Sequence, residues 1–179
     1  LLEAKRWQDV FKNLSLIEEA QDRAFFEKKA ALQALNCNKK KDKLLTEIFN
    51  SFSRELKDDP ELILAYIEAL NTKLDGEKIL VAALDSVFDV RLINCYFEIS
   101  TKDREKLNNL TRWSKIHSEN SLLPLFKGRI YEALGEDTLA EEFLIKSKGL
   151  GSSAASQELL KFFVIRGNLK KARQQITTL

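Results

Sequence analysis

Few residues in this 179-residue chain are of the types that could do chemistry. His117 is its only histidine, so a Ser-His-Asp or Cys-His device has a single possible base. It sits in Lys115-Ile116-His117-Ser118-Glu119-Asn120, at the expected C-terminal end of a helix, where the helix dipole mildly favours an imidazolium. Its sharpest use would be as an axial ligand to haem iron, with Cys37 or Cys95 as the alternative ligand. There is no Cys-x-x-Cys pair, which argues against a zinc site, a dithiol redox centre and covalent haem attachment. Two reduced thiols among packed helices are the simpler reading. Asp58-Asp59 precedes Pro60, and this order is better explained as a helix cap than as a catalytic carboxylate pair. No Gly-x-Gly-x-x-Gly or Walker-type loop is present. The residues give no enzyme, no metal site and no resident cofactor.

Cations cluster at Lys39, Lys40, Lys41 and Lys43, and again in Leu169-Lys170-Lys171-Ala172-Arg173. Either cluster could meet phosphate or lipid head groups, although a solvated loop or helix face accounts for both. The formal charge of +2 gives no global field for nucleic acid or an anionic membrane. Aromatic residues fall at helical core spacing without interleaved basic residues, which argues against a stacking platform for single-stranded nucleic acid. Apolar residues make up 44% of the chain and charged residues 31%, with six glycines and two prolines. That balance predicts an all-α protein with little material for hairpins. No apolar run approaches the roughly 20 residues of a membrane span, and no signal peptide is visible. The opening Leu-Leu-Glu-Ala-Lys-Arg-Trp looks like the inside of a helix and methionine is absent, so the expectation is a fragment of a longer protein.

Helical periodicity organises nearly all of the chain. Ala4, Trp7, Val10, Phe11 and Leu14 share one face over residues 3–14. Ser15 and Glu18 form a capping box for a second helix reaching about Asn36. Leu44, Leu45, Ile48, Phe49, Phe52 and Leu56 make the stripe of a helix over about 42–57. Asp59-Pro60 opens the next, over about 60–73, and a turn at Asp75-Gly76 leads to its partner. Further helices cover 92–99 and 103–118. Eight to ten helices are expected, mainly in antiparallel pairs, with no segment alternating at period two.

Small residues sit where paired helices must touch. In 121–148, Gly128 is followed by Tyr131, then by Gly135 at a turn, then by Ala140 and Leu144. This is most of the tetratricopeptide pattern, in which small residues let two backbones approach and large ones fill the space alongside. Pro124 and Lys127 stand where that pattern has an aromatic residue and a leucine. The motif recurs in 153–179: Gly167 and Ala172 repeat the Gly135–Ala140 interval at an offset of 32, and Leu160, Phe163 and Ile176 take the places of Gly128, Tyr131 and Leu144. Units over about 60–88 and 90–118 complete the expected architecture. This is one domain over 1–179, with helix pairs stacked as a tetratricopeptide-like right-handed solenoid. The concave face of such a stack is lined by first helices. Its positions are Glu61, Ala65, Glu68 and Ala69; Leu122, Leu125, Arg129, Glu132 and Ala133; and Ala154, Gln157, Lys161, Val164 and Ile165. That mixture of charge and apolar surface suits a peptide or a partner helix.

The order of landmarks resembles the repeat domain of HemY proteins, bacterial inner-membrane proteins linked to haem biosynthesis. The likeness is carried by Lys57-Asp58-Asp59-Pro60-Glu61-Leu62 leading into Ala65-Tyr66, and by Phe88-Asp89-Val90-Arg91-Leu92-Ile93 before Tyr96. It continues with Trp113 and His117 ahead of Ser121-Leu122-Leu123 and Gly128-Arg129-Ile130, and ends with Leu139-Ala140-Glu141-Glu142-Phe143-Leu144 before Ser147. It covers about residues 40–179. Two departures are a missing Trp near Phe49 and Glu136-Asp137-Thr138 in place of a Trp-Gly. The resemblance implies a non-catalytic scaffold on the cytoplasmic side of the inner membrane, held there by an N-terminal anchor outside this chain, with late haem-biosynthesis enzymes as partners. A haem or porphyrin carrier is one alternative. A general tetratricopeptide adaptor in envelope assembly or regulation is another.

Overall fold

The computed structural model describes residues 7–177, and every regular element in that range is helical. Twelve α-helices are present among the described residues: α1 Trp7–Asn13, α2 Ala20–Cys37, α3 Asp42–Ser51, α4 Arg54–Lys57, α5 Pro60–Ala69, α6 Glu77–Ser86, α7 Val90–Ile99, α8 Asp103–Ile116, α9 Leu122–Ala133, α10 Asp137–Gly149, α11 Ser153–Ile165 and α12 Leu169–Ile176. Ala4 lies outside the described residues. The helices group into two compact units, divided between Thr101 and Lys102. The expected 60–88 unit falls in the first and the 121–148 and 153–179 units in the second, while 90–118 spans the division.

The first unit is built around α5, which packs against α2, α3, α6 and α7. Its start is set by the Asp59-Pro60 pair. The Asp59 carboxylate accepts from the N–H groups of Glu61 (2.9 Å) and Leu62 (3.3 Å), and Pro60 sits in the first turn, where its missing N–H costs nothing. Leu62, Ile63, Tyr66 and Ile67 are buried along it. The helix stops at Ala69, short of the expected Lys73, because Leu70 turns extended to bury its side chain. Lys40 N–H then donates to the Ala69 carbonyl (2.7 Å), and Asn71 donates to Asp42 through its backbone (3.0 Å) and its amide (2.9 Å).

Two local expectations in this unit are overturned. The Ser15–Glu18 capping box does not form: Leu14–Leu16 is a 3-10 turn, and α2 begins only at Ala20, with no side-chain cap. The entering chain is held by Arg23 instead, whose guanidinium donates to the Ile17 carbonyl from Nε (3.2 Å) and Nη2 (2.7 Å). The expected 42–57 helix is two helices. Phe52 is extended, and the Ser53 hydroxyl caps α4 by accepting from Leu56 N–H (3.4 Å). Serine competes with the helix for local hydrogen bonds, and the break lets both Phe52 and Leu56 reach the core. Breaks of this kind raise the helix number above the expected eight to ten.

In the second unit each helix packs on the next, from α8 through α12. Helices α10, α11 and α12 start at Asp137, Ser153 and Leu169, a constant step of sixteen residues. The same step separates Gly135, Gly151 and Gly167, all at positive φ (75°, 88° and 70°). Each glycine ends a helix in the same way. The N–H of the following residue returns to the carbonyl five residues back: Glu136 to Tyr131 (2.9 Å), Ser152 to Ser147 (3.2 Å) and Asn168 to Phe163 (2.8 Å). The buried small residues Ala140, Ser156 and Ala172 keep that step too. Thus the offset of 32 between the two motifs contains a hidden midpoint at Gly151 and Ser156.

Candidate functional site

Gly128 is the contact point of α9 and α10. A Cβ there would lie 2.8 Å from Leu144 Cγ and 3.4 Å from the Ala140 carbonyl oxygen. Ala140 and Leu144 are fully buried, in a cluster with Leu125, Ala155, Leu159, Phe162, Phe163 and Ala172, and Tyr131 packs partly buried against it. The Tyr131 and Phe143 rings stack with centroids 5.4 Å apart. Gly135 and Gly167 terminate α9 and α11 and touch nothing that a Cβ would strike. Ser147 adds a polar tie, its buried hydroxyl donating to the Ser121 carbonyl (2.7 Å).

The expected groove residues divide into two groups. Arg129 and Glu132 on α9 are engaged with α11: Arg129 Nε donates to both oxygens of Glu158 (3.0 and 3.1 Å), and Glu132 accepts from Arg166 (3.2 Å). Arg166 also pairs with Asp137 (2.5 Å), which holds the Asp137 carboxyl below its ordinary value. Lys171 of α12 pairs with Glu141 of α10. Charge therefore links α9 to α11 and α10 to α12. In the first unit Glu61 pairs with Lys28 (2.9 Å), while Glu68 is exposed, Ala65 half-buried and Ala69 buried. Leu125, expected in the groove, is a core residue. The second group remains on the surface of α11. Gln157 and Lys161 are exposed, followed on the same stripe by Val164 (53% exposed) and Ile165 (74%).

His117 caps the end of α8, with its N–H donating to the Trp113 carbonyl (2.8 Å). It lines a pocket of about 40 Å³ together with Ser114, Ser118, Asn120, Lys127 and Lys146, a space for an ion-sized group rather than a porphyrin. Lys127 is the residue that sequence reasoning passed over. It lies within α9 and is buried at 8% exposure. Burial pushes its ammonium below the ordinary lysine value, and the like charge of Lys146 adds to that shift. A larger open cleft of about 590 Å³ lies between α10, α11 and α12, around Asp137, Glu141, Phe162, Arg166 and Lys171.

Both thiols are free and half-buried. Burial, then the Glu98 carboxylate, raises the Cys95 value and disfavours its thiolate. Lys39, Lys40, Lys41 and Lys43 are exposed. Among the described residues, no group of three or more His, Cys, Asp or Glu side chains could hold a metal ion. No helix among them is long and apolar enough to cross a membrane. No family model, curated protein or solved structure matches this chain.

Proposed function

We propose that this chain is a non-catalytic interaction scaffold of the HemY type, its helices arranged as antiparallel pairs of a tetratricopeptide-like right-handed solenoid. In this reading the α9/α10 and α11/α12 pairs are successive repeats. The charge links from α9 to α11 and from α10 to α12 support that register, because a stack brings first helix to first helix and second to second. The scaffold would sit on the cytoplasmic side of a bacterial inner membrane, anchored by a segment outside this chain, and its partners would be late haem-biosynthesis enzymes.

The observation that carries partner binding is the exposed stripe of α11. Gln157, Lys161, Val164 and Ile165 follow helical spacing, so charge flanks two large aliphatic side chains on one face. A partner helix covering them would remove apolar surface from water while pairing an acidic residue with Lys161. Arg129 and Glu132 shape this face indirectly, since Glu158 and Arg166 already occupy them.

The test is direct binding to purified late haem-biosynthesis enzymes, with Val164→Asp combined with Lys161→Glu. The expected result is a loss of about tenfold or more in affinity, with circular dichroism and melting temperature unchanged. Unchanged affinity for a partner that does bind would sink the assignment. Arg129→Glu is the unsuitable probe, because it sets a carboxylate against Glu158 and lowers stability as well. An absorption titration separates the scaffold from a porphyrin carrier: a Soret shift with haem that disappears in His117→Ala would replace the scaffold reading.

A further inference from the structure

We infer that the pocket formed by α8, α9 and α10 around Lys127 is a binding site for a single phosphate group. The inference is independent of the scaffold reading.

Several cations of the second unit lie over aromatic rings among the described residues. Arg129 lies over Phe126 (5.2 Å to the centroid), Arg166 over Phe162 (3.9 Å), Lys171 over Phe163 (5.3 Å) and Lys127 over Phe143 (5.3 Å). Three of the four also hold a carboxylate: Glu158 for Arg129, Glu132 and Asp137 for Arg166, and Glu141 for Lys171. Lys127 is the most buried of them, and it forms no ion pair among the described residues. The neighbouring charge it feels is Lys146, of its own sign. The aliphatic stem of Lys127 is buried while its ammonium reaches the pocket over the Phe143 ring, and no carboxylate among the described residues pairs with it there. Lys127 and Lys146 thus bring two ammonium groups to one small pocket, and no carboxylate among the described residues is ion-paired with either.

The pocket supplies what such an anion needs. Lys146 is exposed at its edge and His117 lines it. The Asn120 Oδ1 is taken by Leu122 N–H (2.9 Å), so its NH2 remains as the donor end. Ser114 and Ser118 line it as well, but their hydroxyl protons go to the Leu110 carbonyl (2.6 Å) and the Glu119 carboxylate (3.5 Å), so the donors left to an anion are the two lysines and the Asn120 amide. Glu119 and Glu142, each next in sequence to a lining residue, are both exposed. The volume of about 40 Å³ corresponds to roughly three waters at 10–15 Å³ each. One tetrahedral oxyanion fits such a space, and a nucleotide base or a macrocycle does not. Two ammonium groups favour a dianion over a carboxylate.

Thermal unfolding of the whole chain is measured at neutral pH with sodium phosphate, glycerol 3-phosphate or sodium acetate, each against sodium chloride of equal ionic strength. The expected result is a saturable rise in melting temperature with one or both phosphates and none with acetate. A response to inorganic phosphate alone assigns the free ion, and an equal or larger response to the ester assigns a phosphomonoester. Calorimetric titration should show affinity falling about tenfold in Lys127→Met and several-fold in Lys146→Gln. Without phosphate, Lys127→Met should melt at or above the wild-type temperature. The proposal is overturned by the absence of a saturable response to either phosphate, by an equal response to acetate, or by full retention of binding in Lys146→Gln and Lys127→Met. Should Lys127→Met fail to fold, Lys146→Gln and Asn120→Ala carry the same test.

Discussion

Replacing Gly128 by alanine tests whether α9 and α10 owe their close approach to a missing side chain. Glycine inside a helix is disfavoured, so alanine in open space would gain about 1 kcal/mol. At Gly128 the added Cβ would stand 2.8 Å from Leu144 Cγ and 3.0 Å from its Cδ2. Cγ is the branch atom of a fully buried side chain, so it cannot swing aside without moving α10 or its neighbours. Overpacking of this kind costs about 1–3 kcal/mol, which offsets or exceeds the propensity gain and leaves a net loss of about 0–2 kcal/mol. Truncating Leu144 to alanine is itself costly, by about 2–5 kcal/mol, but it removes the clash. In that background Gly128→Ala should turn stabilising. Gly149 is the control: it ends α10, and an added methyl group would meet nothing within 4 Å, so its alanine variant should not lose stability. Urea unfolding followed by Trp113 fluorescence in a Trp7→Phe background reports on this unit, because Trp113 is fully buried in it. The reasoning fails if Gly128→Ala stabilises the protein equally with and without Leu144, since the cycle would then show no coupling.

Asp59→Ala should cost about 1 kcal/mol by uncapping α5, whereas Asp59→Asn keeps a capping oxygen and loses only the Lys28 pair. Burial works to raise the Asp59 carboxyl, but the bonds from Lys28 and from the N–H groups of Leu62 and Glu61 outweigh it, and its value lies below the ordinary 3.8. A depressed folded value means that this stabilisation is complete above the ordinary carboxylate range and is lost as pH falls through the folded value. The stability gap between wild type and Asp59→Asn should therefore shrink on acidification from about pH 5 to pH 2, and a constant gap would exclude the linkage. At Gly151, where φ is +88° and no neighbour lies within 4 Å, alanine should cost about 1 kcal/mol through backbone strain alone and asparagine less. Equal losses for the two in urea unfolding would point to a contact instead.

The helical class was legible from periodicity, and Asp59-Pro60 was legible as a start because both residues act locally. The breaks were harder to read. Phe52-Ser53 looks like continuing helix, since Phe52 and Leu56 fit the apolar stripe; only packing shows that both reach the core through an extended step. Ser15 and Glu18 match a capping box, yet the contact that fixes the turn is Arg23 on the Ile17 carbonyl, which no short motif encodes. Gly128, Ala140 and Leu144 were legible because close approach requires a small residue, a constraint that sequence spacing carries directly. The sixteen-residue step was present in the glycines throughout, but Gly151 sits among Gly149, Ser152 and Ser153 and reads as a loop rather than as the middle term of a series.

The candidate surface was less legible because charge has two uses that look alike in a sequence. Arg129 on α9 and Lys161 on α11 both present a long cationic side chain. Their difference lies in what stands opposite. Glu158 meets Arg129 from α11, while Lys161, one turn further along α11, stands exposed. An ion pair between neighbouring helices fixes register, and at the surface it adds at most about 1 kcal/mol. A cation left over after such pairing is the one with charge to offer to another molecule. The same sorting separates Lys127 from Arg166: both are drawn into the fold over an aromatic ring, but Arg166 is met by two carboxylates and Lys127 by none among the described residues. Among the cations that the fold does not pair, Lys161 stands beside exposed aliphatic side chains and Lys127 stands in a small pocket. These two environments call for different ligands, a partner helix at the first and a small dianion at the second.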